Sequence, residues 1–182
     1  MPLTIRKADS GDVPAVAAIY DRIHAAEEAG RLSTGWIRGI YPVLKTAEAS
    51  QARGDLFVMA DGEKICGSAI INQEQCEAYS QGQWQIAAPD SAIMVLHTLC
   101  IDPQEAGRGL GRKFMEFYAS HALANGCECL RMDTNARNSR ARAFYARLGF
   151  REAGMVHLNF NGIEGVNLVL LERDARISFC NA

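Results

Sequence analysis

The stretch that most constrains this chain runs from Ala92 to Ala124. An apolar run ending at Ile101 closes on Asp102-Pro103, and Gly107, Gly109 and Gly111 follow at alternate positions. Leu110, Phe114, Phe117 and His121 then fall near one face of a helix. This pattern predicts a strand delivered through a glycine turn onto a helix start. The first N–H groups of a helix lack carbonyl partners, and the helix dipole makes that end positive. Glycines let a bulky ligand approach the backbone. Together they describe a pyrophosphate-binding turn, with Arg108, Arg112 and Lys113 as nearby counter-charges. The plain alternative is a tight strand-to-helix turn. A Walker loop is excluded because no Gly-Lys-Ser/Thr occurs. The dinucleotide fingerprint G-x-G-x-x-G fails on spacing, and the segment lies mid-chain.

The remaining pattern is of mixed type. Leu3–Lys7 alternates like a strand. Asp9-Ser10-Gly11-Asp12 and Pro14 open a helix whose apolar face is Val13, Val16, Ile19, Tyr20 and Ile23, fading at Ala29-Gly30. Residues 31–43 are irregular, and 44–51 form a short helix. Strands are expected at 55–60 and 64–72 around the turn Asp61-Gly62. Residues 73–91 read as a long loop or a ragged hairpin extension. After the helix ending near Ala124 come a strand at 128–133, a helix at 138–148, and strands at 155–160 and 165–171 around Asn161-Gly162. The order βααβββαβαββ predicts a mixed α/β sheet and not a fully parallel doubly wound one.

One domain covering residues 1–182 is expected from the length. A formal net charge of -2 with no basic block argues against a broad nucleic-acid footprint. No apolar run approaches a membrane span, and the N-terminus lacks the apolar core of a signal peptide. Cys66, Cys76, Cys100, Cys127, Cys129 and Cys180 are read as reduced thiols. Cys127-x-Cys129 lacks the second pair of a zinc site, so no metal is expected. These readings place the protein in the cytoplasm.

A second segment, Asn138-x-x-Ala141-x-x-Phe144-Tyr145-x-x-x-Gly149-Phe150, completes the picture. Alone, Asn138 is a helix N-cap and Tyr145 an amphipathic core residue. The two segments together resemble the GNAT superfamily of acyl-CoA N-acyltransferases, specifically from about Leu96 to Phe150. The resemblance implies a mixed, mostly antiparallel central sheet with helices on both faces and splayed central strands. It implies acetyl-CoA as co-substrate, with its pyrophosphate on backbone amides of Gly107, Arg108, Gly109, Leu110, Gly111 and Arg112. Backbone groups of Leu99 and Ile101 would pair with the pantetheine arm, and Asn138 would hydrogen-bond it. Tyr145 would protonate the departing thiolate. Ala106 stands where the family motif has Gln or Arg.

An amine must be neutral to attack a thioester, and a lysine-like amine titrates near ~10.4. A base is therefore useful, and His97 is the candidate. Strand alternation would turn Val95, His97, Leu99 and Ile101 to one face and Cys100 to the other, favouring direct transfer. The competing reading of His97 is a satisfied core histidine. Asp133 and Asn135 either line the acceptor side or form a strand-end turn. Trp36, Tyr41 and Trp84 either shape a small-molecule pocket or staple loops to the core. The leading reading is acetylation of a primary amine on a small molecule. A protein lysine or N-terminal acceptor, and a non-catalytic CoA-binding module, are the alternatives. The sequence leaves a homodimer open.

Overall fold

The structure is a computed structural model and describes residues 3–179. Its elements run β1 (Leu3–Lys7), α1 (Val13–Glu28), α2 (Leu44–Arg53), β2 (Leu56–Asp61), β3 (Lys64–Asn72), β4 (Ile93–Ile101), α3 (Leu110–Ala124), β5 (Cys129–Asn135), α4 (Ser139–Arg147), β6 (Arg151–Phe160) and β7 (Ile163–Asp174). The order is the one expected from the periodicity. Seven strands form one mixed sheet in the order β1-β2-β3-β4-β5-β7-β6. Pairing is antiparallel for β1–β2, β2–β3, β5–β7 and β6–β7, and parallel for β4–β5. The parallel pair requires a crossover, which α3 supplies. At the tip of the last hairpin Asn161 and Gly162 have φ of 51° and 77°, the doubly positive turn that suits a twisted two-strand ribbon.

Residues 3–32, 36–71 and 97–117 form one compact unit; residues 33–35, 72–96 and 118–179 form a second. In the first, Val16, Ile19, Tyr20 and Ile23 of α1 and Ala47 of α2 pack on Leu56, Val58 and Ala60 of β2. The intervening Phe57 meets Phe117 of α3 at 5.5 Å between ring centroids. Alternate residues of one strand therefore carry helices on opposite faces. Pro14 sits in the first turn of α1, while the Asp12 carboxylate is drawn away from a capping role to Arg6 and the Asp9 N–H.

In the second unit Ile93 and Val95 of β4, Cys129 of β5 and Leu170 of β7 share a core with Ala78 and Tyr79. The Tyr118 hydroxyl lies 2.6 Å from the Met94 carbonyl and 2.9 Å from that of Arg131. It thus ties β4 to β5 from α3. The parallel pairing covers only Ile93–Leu96 against Cys129–Met132, and both strands run on beyond it.

Of the two readings of residues 73–91 the long loop is the one found, a strap with two 3₁₀ turns, Glu77–Gln81 and, at its end, Asp90–Ala92. It is fastened by the Gln83 N–H to the Ala153 carbonyl at 2.6 Å. The buried Glu172 carboxylate also accepts from the N–H groups of Gln85 and Ile86, at 2.8 and 3.2 Å. Strand β6 begins at Arg151, four residues earlier than the apolar pattern suggested, because it opens on the polar and small residues Arg-Glu-Ala-Gly and carries a register shift at Glu152/Gly154.

Five cysteines, Cys66, Cys76, Cys100, Cys127 and Cys129, are free thiols; Cys180 lies outside the described residues. Among the described residues no helix is long and apolar enough to cross a membrane. Among them no group of three or more His, Cys, Asp or Glu is placed to hold a metal ion.

Candidate active site

The glycine turn lies in the first unit. Asp102 follows β4, is 1% exposed, and opens a 3₁₀ turn at Pro103–Glu105 by accepting from the Gln104 N–H at 3.0 Å. Its carboxylate also receives both arms of Arg22 from α1, at 3.0 and 2.8 Å, which anchors the entry to the turn. Gly107 and Gly109 then adopt φ of 84° and 70°, and α3 starts at Leu110. A Cβ built at either glycine meets nothing within 4 Å. These glycines are demanded by backbone conformation, and the space above them is open. This fits a bulky phosphate group held by the amides of 107–112.

The basic side chains behave differently from the sequence expectation. Arg108 pairs with Glu105 and reaches Asp61 at 2.8 Å, while Lys64 also engages Glu105. The Arg108 guanidinium is held well above its ordinary range by the hydrogen bonds it donates to Asp61 and Glu105. Lys64 and then Arg108 hold the Glu105 carboxyl below its usual value. Arg112 faces Glu116 at 3.0 Å. Both arginines are matched by carboxylates, and the first N–H groups of a helix such as α3 have no intrahelical carbonyl to donate to.

On β4 the alternation used to assign faces does not run unbroken. Thr98 has φ of 52°, and for a β-branched residue this is a strained conformation. It follows the last β4–β5 pair by two residues and breaks the period of two between His97 and Leu99. Simple alternation therefore does not put His97 on the face of Leu99 and Ile101. The Tyr41 hydroxyl makes a short hydrogen bond to Thr98 Oγ1, and Trp36 stacks edge-on to Tyr41 at 6.2 Å. His97, Leu99 and Ile101 are half-buried. Cys100 is 1% exposed in the α1–α2 core, where burial pushes its thiol far up, so it stays protonated.

The second unit holds the other predicted residues. Asn138 caps α4, its side-chain oxygen accepting from the Ala141 N–H at 3.1 Å. Tyr145 is 7% exposed and packs on Phe144 and Phe150, with ring centroids 5.3 and 6.0 Å away. At the end of β5 lies a constellation that the sequence only half revealed. The Tyr79 hydroxyl donates to Asp133 Oδ2 at 2.9 Å. Burial pushes the Asp133 carboxyl up to about 6, against the lowering influence of that hydroxyl. Tyr79 is held in turn by Trp84, whose Nε1–H donates to the Tyr79 carbonyl at 2.7 Å and whose ring lies 5.5 Å away. Arg131 covers the Trp84 ring at 4.0 Å. Gly35 approaches Asn135 so closely that a Cβ there would sit 2.2 Å from Nδ2. Tyr79 carried no motif, and only its aromatic character within a polar loop hinted at it.

Residues 18–150 match the Acetyltransferase (GNAT) family, and the chain belongs to it. Members of this family generally use acetyl-CoA. The mycothiol acetyltransferase of Beutenbergia cavernae is 34% identical over a match covering 44% of this chain and 27% of that protein. The 5-NmdU N-acetyltransferase of Pseudomonas phage PaMx11 is 30% identical, with 62% of this chain and 68% of that one covered. The structure of the ribosomal-protein-S18-alanine N-acetyltransferase of Escherichia coli superposes with a TM-score of 0.66 at 20% identity, covering 97% and 96% of the two chains, which is a likeness of fold.

Proposed function

We propose that the protein moves an acetyl group from acetyl-CoA directly to a primary amine of a small molecule. The observation that carries this reading is the open glycine turn, with Gly107 and Gly109 at positive φ and nothing within 4 Å of either added Cβ. In this reading the amides of 107–112 hold the pyrophosphate, and Leu99, Ile101 and Asn138 serve the pantetheine arm. The Asn138 oxygen is already used as a cap, so its amide N–H₂ is the group left for that role.

His97 takes a proton from the acceptor's ammonium, freeing the nitrogen lone pair to form the C–N bond. As the C–S bond breaks, Tyr145 gives its proton to the sulfur. The new amide nitrogen sheds a second proton that returns Tyr145 to its starting state, so one proton is released to solvent per turnover. Direct transfer is supported by the buried, protonated state of Cys100. A small-molecule acceptor is supported by the Tyr79–Trp84 pair packed beside the end of β5. The free thiols at Cys66, Cys76, Cys100, Cys127 and Cys129 support a reducing compartment such as the cytoplasm.

The test is a thiol-release screen with acetyl-CoA against alkylamines and peptides. Turnover with small amines supports the reading, and turnover with peptides alone replaces the acceptor class. Acetyl-CoA binding without turnover makes the chain a CoA-binding module.

A further inference from the structure

We propose that Asp133, with one oxygen fixed by Tyr79, is the carboxylate that binds the acceptor as a cationic alkylammonium, and that Tyr79 is its positioning residue. This rests on the acetyl-transfer reading above and names the acceptor class within it: strongly basic aliphatic amines.

Asp133 is half-buried near the end of β5, opposite Leu170 of β7, which brings it no charge. Facing it from the strap are the Tyr79 hydroxyl and the Cys76 thiol. Among the described residues no Lys, Arg or His side chain pairs with Asp133. The cation that strand alternation places on the same face, Arg131, is turned to the Trp84 ring at 4.0 Å and to Gln75 Oε1 at 2.6 Å. A carboxylate withdrawn from water without a cation is costly, and such groups persist where a ligand supplies the charge.

Tyr79 fixes the geometry. Its hydroxyl occupies Oδ2, leaving Oδ1 as the acceptor for an ammonium N–H. Tyr79 is 2% exposed, its main-chain carbonyl accepts from Trp84 Nε1–H, and it belongs to a strap latched to β7 by Glu172. The carboxylate therefore presents one oxygen in one orientation. A carboxylate titrating about 6 is ionised over the whole range from there to an alkylamine's own ~10.4, which is the window in which the ion pair exists.

The test has two parts. In the first, ¹³C NMR of the Asp133 carboxyl is followed while butylammonium chloride is added. A saturable shift at Asp133, absent with butanol, is expected. In the second, KM and kcat are measured for the best alkylamine of the screen and for an uncharged hydrazide of the same length. Asp133→Asn should raise KM for the alkylamine at least about tenfold with kcat within about threefold, and leave the hydrazide KM unchanged. Tyr79→Phe removes a donor that lowers the Asp133 pKa. It should therefore move the acid limb of the alkylamine KM to higher pH, which a purely structural loss would not do. No shift at Asp133 with butylammonium overturns the proposal. So does equal loss toward amine and hydrazide, or a fall in kcat at constant KM, which would make Asp133 the base. A saturable Asp133 shift in a protein that acetylates no amine would retain the binding site and remove the acetyl-transfer reading instead.

Discussion

The glycine turn at 107–112 and the end of β5 solve different problems with different materials. The turn is made of backbone. Its donors are N–H groups, its special residues are glycines, and its charged side chains neutralise one another through Glu105, Asp61 and Glu116. The β5 end is made of side chains, namely Asp133, Tyr79, Trp84 and Arg131, drawn from a strand and a strap well separated in sequence, Tyr79 and Asp133 by 54 residues. A ligand common to a whole family can be held by backbone that any sequence supplies. A ligand particular to one protein needs side chains that others lack. The first region is thus where family membership shows, and the second is where specificity would be built.

Tyr145→Phe keeps the buried ring and removes only the hydroxyl. As general acid for a thiolate, Tyr145 should account for about tenfold to a hundredfold in turnover number, or 1.4 to 2.7 kcal/mol of barrier. Pre-steady-state thiol release checks this, and parental chemistry in the Phe variant would return Tyr145 to the core.

Gly109→Val should raise the acetyl-CoA dissociation constant at least about tenfold, some 1.4 kcal/mol. It removes the approach to the amides and also forces a β-branched residue to φ of 70°. Calorimetric titration of a variant with parental circular dichroism decides it. Binding as tight as the parent's would show that the turn does not hold the donor.

Asp133→Asn should stabilise the protein at neutral pH. The carboxyl pKa is raised from 3.8 to about 6 by folding. The folded state therefore binds its proton more tightly than the unfolded chain. No penalty exists below pH 3.8; it grows as pH rises to about 6 and is full above that. Asn stays neutral and its oxygen still accepts from Tyr79. The gain should be on the order of 1–3 kcal/mol, several degrees in Tm, near pH 7.5 and close to zero near pH 4. Equal melting temperatures at both pH values would mean Asp133 carries no uncompensated charge.

The smallest effect sharpens the contrast from the other side. Arg108→Ala should change acetyl-CoA affinity by less than about threefold, because Arg108 is already committed to Glu105 and Asp61. A tenfold loss would show that the arginine leaves its carboxylates for the phosphate, and the turn would then depend on side chains as well.

What the sequence alone determined was the order of elements, the hairpins at Asp61-Gly62 and Asn161-Gly162, and the strand–glycine–helix turn. Each is local: period, turn chemistry and glycine spacing act within a few residues, so they can be read along the chain. The tertiary structure alone decided the rest. The Thr98 kink, at φ of 52° and hydrogen-bonded to Tyr41 57 residues away, interrupts an apolar run that reads as uniform strand. Arg108 is bonded to Glu105 and to Asp61, the latter 47 residues away. Tyr79 and Asp133 are 54 residues apart, and neither carries a motif. Pairings at that separation depend on how strap and strand pack, and packing of side chains from distant segments leaves no period or spacing in the sequence to read.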